Sequence, residues 1–137
     1  VVAVDPALLT TLVDGGFVPV VAPLAADGDG NVFNVNADEI ASALARGLGV
    51  RRLVVASNTP GVLDRDGRVI ERIGPSAART LARDGVVTGG MLVKLDAALA
   101  AVAQGVAAVH LIDGTEPGTV AAAIAGRPVR GTIVTAD

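Results

Sequence analysis

The sequence predicts an α/β fold with an open parallel sheet, and three observations carry that expectation. Short continuous apolar runs, FVPVVAP at 17–23, VRRLVVAS at 50–57 and VAAVHLI at 106–112, are of the kind found in strands buried on both faces. Between them lie segments whose apolar residues recur at helical spacing and which close on glycine. The two kinds of segment alternate along the chain, the pattern of helices crossing between parallel strands.

Composition narrows the function classes. A chain of 137 residues, 51% hydrophobic and 18% charged, is long enough for a real core and too apolar for disorder. The only aromatics are Phe17 and Phe33, so the core must be built from Val, Leu, Ile and Ala, and base stacking on single-stranded nucleic acid is not expected. Net charge is −3 and the arginines are scattered, so no basic stripe suits a phosphate backbone. The absence of cysteine excludes disulfides and thiolate metal sites and fits a cytoplasmic protein. No apolar run approaches the ~18 residues that cross a membrane, so no membrane partner is expected. The sequence shows neither a signal peptide nor an initiator methionine and reads as part of a longer polypeptide.

Taken in order, Asp5-Pro6 followed by Ala7, Leu8, Leu9, Leu12 and Val13 predicts an N-capped helix with a packing role, closed by Gly15-Gly16. Phe17 to Pro23 follows as a buried strand, and AADGDG at 25–30 as a hairpin turn or tight loop. From Asn31 to Asp38, Asn34, Asn36 and Asp38 alternate with apolar residues and would project to one side of an extended segment. One of the three can cap the helix that follows, Glu39 to Leu48. A cap needs only one side chain, which leaves the others free to face a ligand. Val50 to Ser57 is the next strand, with Ser57-Asn58-Thr59-Pro60-Gly61-Val62-Leu63 at its carboxyl end, the edge where open parallel sheets bind ligands; a simple turn is the alternative for that loop. Asp64 to Ile70 suggests a short hairpin with solvated carboxylates, and Pro75 to Arg83 a helix ended at Gly85. Val106 to Ile112 is a further strand, in which His110 is expected as a sheet histidine. A helix over Pro117 to Ala125 and a strand over Gly131 to Val134 complete the chain.

One lysine stands against ten arginines. Lys94 follows Gly89-Gly90 by about one turn in a helix whose apolar positions are Met91, Val93, Leu95, Ala98, Leu99 and Val102. Unpaired N–H groups at a helix start favour an anion, and a flexible ammonium close by can reach a phosphoryl group. The alternative is a lysine extended over the surface of an ordinary helix.

Asn34-Val-Asn36-Ala-Asp38, the Ser57 to Leu63 loop, Gly89-Gly90-Met91-Leu92-Val93-Lys94 and His110-Leu-Ile-Asp113-Gly114, in that order and spacing, resemble the C-terminal half of the acetylglutamate kinases, within the amino acid kinase family. The resemblance covers essentially the whole chain. It implies a three-layer αβα sandwich of which residues 1–137 form the C-terminal, nucleotide-binding part, the N-terminal substrate lobe being absent. It further implies transfer of the γ-phosphoryl group of ATP to the side-chain carboxylate of N-acetyl-L-glutamate in arginine biosynthesis, in a cytoplasmic homo-oligomer, dimer or hexamer. By motif, Lys94 would stabilise the transferring phosphoryl group and Asp38 would organise the lysines. Asn34, with Asn36, would bind substrate. Ser57, Asn58, Thr59, Pro60, Gly61, Val62 and Leu63 would line the nucleotide together with Val86, Val87, Thr88, Gly89 and Gly90. Mg2+ would arrive on the nucleotide, with no metal ligands of the protein's own. An ionised carboxylate nucleophile needs no general base, consistent with a chain that offers no catalytic His or Cys.

The sequence also departs from the family. The glycine-rich first loop with its lysine and the substrate-binding arginine are missing, so the chain alone is expected to be inactive. Alanines at 121–123 stand where arginine-regulated members carry a glutamate, which removes the expectation of arginine feedback. Asn58 stands where many relatives carry Asp, leaving a sibling kinase, such as one acting on carrier-linked aminoadipate, as the alternative substrate class. A non-catalytic module binding nucleotide or a partner is the alternative from outside the enzymes.

Overall fold

The computed structural model describes residues 3–137. Asp5 Oδ1 accepts the Ala7 N–H at 2.9 Å, and helix α1 runs Ala7–Asp14. None of its residues is buried, so the expected packing role is not met. The apolar run 17–23 is a second departure: it forms no strand, and Val18 and Val20 are 88% and 96% exposed. A strand apolar on both faces needs neighbours at its edges and over its faces, and no strand among the described residues pairs with this one. Pro19 and Pro23 also remove two ladder donors.

Strands β1 (Leu24–Ala26) and β2 (Val32–Asn34) make the predicted hairpin, with Leu24 opposite Asn34. Asp27 organises its turn by accepting the N–H groups of Asp29 and Asn31 and the Asn31 side chain at 2.8–3.0 Å. Those bonds, the Asn31 side chain first, hold the Asp27 carboxyl below its usual range. Helix α2 (Ala37–Gly47) starts two residues before the predicted position, because Asn36 caps it.

The remaining elements are β3 (Arg52–Ser57), β4 (Arg72–Ile73), α3 (Pro75–Arg83), α4 (Gly89–Ala103), β5 (Ala108–Asp113), α5 (Thr119–Ile124) and β6 (Gly131–Val134). They build a sheet of order β3-β5-β6-β4, parallel between β3 and β5 and between β6 and β4, antiparallel between β5 and β6. The predicted hairpin at 64–70 shrinks to a Leu63–Val69 bridge around a turn in which Asp64 Oδ1 accepts the N–H groups of Asp66 and Arg68.

Alternation along the strands sorts side chains between the layers. On one face Val109 and Leu111 of β5 and Val134 of β6 meet Leu95, Ala98 and Ala101 of α4, all at most 2% exposed, and Ala45 of α2 joins the same core. Alanines at these positions let helix and sheet approach closely. On the other face, Ile112 of β5 and Ala123 of α5 are buried at 1% and 2%. The result is the expected sandwich of helices about a mainly parallel sheet.

Candidate functional site

Lys94 and Asp38 meet. The Lys94 Nζ donates to Asp38 Oδ2 at 2.8 Å, joining the second turn of α4 to the first turn of α2 across 56 residues of sequence. The two side chains are 29% and 19% exposed, so the pair is partly shielded yet open to a ligand. Sequence placed Asp38 beside an extended strand; it sits instead in the first helical turn, where its charge also suits the helix dipole.

The three polar residues of the 34–38 segment therefore divide. Strand β2 ends at Asn34, whose exposed side chain makes no hydrogen bond among the described residues. Asn36 Oδ1 accepts the Asp38 N–H at 2.8 Å and is committed to capping α2. Only Asp38 reaches the lysine. The alternation read from sequence stops at Asn36, because this capping residue turns the chain into α2 and puts Asp38 on a helix.

Helix α4 opens as predicted. Gly89 takes φ +56°, a conformation L side chains resist, and a side chain added at Gly89 or Gly90 would meet nothing within 4 Å. Thr88 stands at the cap position without a side-chain capping bond, leaving the first N–H groups of α4 available to an acceptor.

The Ser57 to Leu63 loop leaves the carboxyl end of β3, where Ser57 is in register with Asp113 of β5. The Gly114 N–H donates to the Ser57 carbonyl at 2.8 Å and so holds the two loop starts together. Ser57 Oγ lies 3.1 Å from Thr59 Oγ1. Asp113 accepts both the N–H and the hydroxyl of Thr115, which with Arg130 nearby keep its carboxyl below the usual range. Asn58 and Leu63 are exposed, and Thr59, Pro60 and Val86 are half-buried. Val62 and Val87 turn into the core at 0% and 3% exposure, and the Val62 carbonyl accepts the Ile70 N–H at 2.8 Å, so these two positions shape the loop from beneath. No hydrogen bond among the described residues joins this loop to Lys94 or Asp38.

Thr132 is a residue that sequence reasoning passed over. Fully buried on β6, its hydroxyl accepts the Val62 N–H at 2.8 Å and donates to the Ile70 carbonyl at 2.7 Å, pinning the loop to the sheet. Gly61 takes φ +129°, and a side chain there would come within 2.6 Å of Thr132 Oγ1, so glycine permits the contact. The available signal was a lone hydroxyl on the inward side of an apolar strand. His110 lies on β5 between Val109 and Leu111 and so faces away from the core they enter. Burial, then Arg52 and Arg72, hold its imidazole below the ordinary 6.5.

The sequence profile of the amino acid kinase family matches residues 1–113. The chain belongs to the amino acid kinase family. It is 44% identical over 111 residues to the acetylglutamate kinase of Methylobacillus flagellatus, covering 81% of this chain and 38% of that enzyme. It is 45% identical over 112 residues to the acetylglutamate kinase of Chromobacterium violaceum, covering 82% and 39%. This family member thus spans about two fifths of the length of those relatives. Among solved structures, N-acetylglutamate synthase from Neisseria gonorrhoeae complexed with coenzyme A and L-arginine superposes with TM-score 0.87 at 25% identity, over 97% of this chain and 31% of that one. The smu.665 protein of Streptococcus mutans gives 0.82 at 28% identity, over 98% and 49%.

Proposed function

We propose that this chain is the C-terminal, nucleotide-binding part of an acetylglutamate kinase, which transfers the γ-phosphoryl group of ATP to the side-chain carboxylate of N-acetyl-L-glutamate. The observation that carries the reading is the 2.8 Å pair of Lys94 and Asp38 beside the glycine-opened start of α4. A carboxylate oxygen of the substrate forms the new O–P bond as the bond to the leaving ADP oxygen breaks. Such a transfer asks the protein chiefly for position and for positive charge near the phosphoryl oxygens. Asp38 keeps the long Lys94 side chain in one orientation, so the ammonium needs little reorganisation when charge shifts onto the bridging oxygen. The open start of α4 fits a phosphate, since its first N–H groups carry no side-chain cap and Gly89 and Gly90 leave room in front of them. The Ser57 to Leu63 loop and Val86 to Thr88 would hold the rest of the nucleotide, and Asn34 would donate its amide to the substrate carboxylate. Mg2+ travelling with ATP would neutralise its phosphates. Names of relatives at 44% and 45% identity support acetylglutamate as the substrate. The same reading makes the protein a cytoplasmic homo-oligomer, dimer or hexamer, acting in arginine biosynthesis.

The test is a chimera in which these residues replace the matching segment of the Methylobacillus flagellatus enzyme, with and without Lys94→Ala. Turnover should fall about 100-fold or more while nucleotide affinity changes far less, as expected for a charge used mainly in the transition state. Unchanged turnover would remove Lys94 from the chemistry. A panel of N-acetylglutamate, carbamate and aminoadipate derivatives reads the substrate class in the same experiment.

A further inference from the structure

Helices α2 and α4 lie side by side, tied at their starts by the Lys94–Asp38 pair and joined in one core through Ala45, Leu95, Ala98 and Ala101. On the side away from that core they leave a hollow of about 530 Å³, lined by Glu39, Ser42 and Arg46 of α2 and by Asp96, Ala100 and Gln104 along α4. Lys94 and Asp38 do not line it. Asn36 does, but its side-chain oxygen is committed to the α2 cap. The hollow is of the size that takes a small molecule. Helical spacing explains the grouping, since residues three and four apart share one stripe of a helix.

The lining is polarised along the groove. Glu39 stands in the first turn of α2 and Asp96 in the second turn of α4, whereas Arg46 is in the last turn of α2 and Gln104 is the C-cap of α4. One end therefore carries two carboxylates, and the other a guanidinium and an amide. Among the described residues Glu39, Asp96 and Arg46 have no ion-pair partner within 4 Å, while Arg65, Arg68, Arg83 and Lys94 each pair with an aspartate. The helix dipole accounts for Glu39 and Arg46. It does not account for Asp96, which lies beyond the first turn of its helix.

Between the two ends on α2 is Ser42, only 5% exposed. Thr11 and Thr80 bond the carbonyl one turn back, as hydroxyls within helices commonly do. The Ser42 hydroxyl makes neither that bond nor any other among the described residues. No side-chain polar atom among these residues is both shut off from solvent and unpaired, so the Ser42 oxygen opens onto the hollow it lines. A buried hydroxyl ordinarily has a partner, and this one is left for a group lying in the groove. Ala97 and Ala100 add only methyl groups to the lining and leave room for a narrow chain. The seven residues from Glu39 to Arg46 rise about 10 Å, and the arginine side chain leans back toward the helix start, which shortens the gap between the charged ends.

We propose that this groove is a binding site for a short linear zwitterion of the tripeptide kind, held by its ammonium on Glu39 and Asp96, by a mid-chain peptide group on Ser42 and by its carboxylate on Arg46 and Gln104. A guanidinium fork matches the two oxygens of a carboxylate. The paired carboxylates attract an ammonium and repel a polyanion such as a nucleotide, so this site differs in ligand class from the Lys94 pair. The proposal does not depend on the kinase reading.

The test is calorimetric titration of triglycine into the 137-residue chain. Triglycine should bind saturably, and N-acetyltriglycine, without the ammonium, and triglycinamide, without the carboxylate, should each bind about tenfold or more weakly. Glu39→Gln/Asp96→Asn and, separately, Arg46→Gln should each weaken triglycine by about tenfold or more, while Asp66→Asn/Arg79→Gln, outside the groove, leaves it unchanged. Ser42→Ala should weaken triglycine about threefold or more yet leave the affinity for 8-aminooctanoate, which has no mid-chain polar group, as it was. Should the double acidic variant lose helix content by circular dichroism, Asp96→Asn alone, exposed on α4, is expected to weaken binding in the same direction. No saturable heat with triglycine up to about 10 mM, or capped peptides that bind as well as triglycine, would overturn the proposal. So would an affinity that the groove substitutions leave unaltered.

Discussion

Thr132 shows how much a single side chain can decide. Its hydroxyl answers one donor and one acceptor of the main chain at zero exposure, so Thr132→Val keeps the shape and leaves the Val62 N–H and the Ile70 carbonyl without partners. Two orphaned buried groups cost roughly 1–3 kcal/mol each. Chemical denaturation should therefore find the valine variant destabilised by about 2 kcal/mol or more, and Thr132→Ser, which keeps both bonds, by distinctly less. His110 makes a pH prediction. Its folded pKa lies below the ordinary 6.5, so the unfolded chain takes up the proton first as pH falls. This contribution is complete above pH 6.5, declines as pH drops through that value and levels off below the folded pKa. Urea midpoints measured between pH 7.5 and 5 should fall more steeply in wild type than in His110→Gln. The carboxylates of Asp27, Asp113 and Asp137, all held low by hydrogen bonds, contribute stability that is lost only in a separate, more acidic window below their ordinary 3.8.

Among the elements, those with strong local signals were legible. Pro75 at the start of α3, the glycine pair opening α4 and the continuous apolar run of β3 each contain, within a few residues, the chemistry that makes them form. The two-residue strand β4 was not legible, because so short a piece shows no alternation and owes its state to β6 beside it. The 17–23 run failed for the opposite reason: its composition suits a buried strand, but pairing is a property of neighbours. At the site, the meeting of Lys94 and Asp38 was legible from motif and chemistry. The capping duty of Asn36 was only one of the possibilities, since capping and ligand binding use the same residue types. The α4 core predicts that Leu95→Ala, at zero exposure under the sheet, loses about 2–5 kcal/mol, whereas Val93→Ala, half exposed on the outer side, loses under about 1 kcal/mol by the same denaturation measurement.

On the scale of the whole molecule, exposed apolar surface is unevenly distributed. Leu8, Val13, Phe17, Val18, Val20, Val21, Leu24, Val32 and Phe33 are all exposed, whereas few large apolar side chains are exposed in the sheet region that follows. Apolar surface left exposed at this density favours association. The 137-residue chain should self-associate with rising concentration in sedimentation velocity, and Val18→Lys/Val20→Lys should reduce that association with little change in the unfolding midpoint, because neither side chain enters the core.

The strand order carries a further consequence. β6 ends at Val134 yet lies between β5 and β4, both of which precede it in sequence. On the ribosome, β4 has no strand to pair with until residues 131–134 have cleared the exit tunnel, so the four-stranded sheet closes only after its other three strands have been made. A nascent chain stalled before that point would hold β3 and β5 side by side, with the cleft meant for β6 still open to chaperones and proteases.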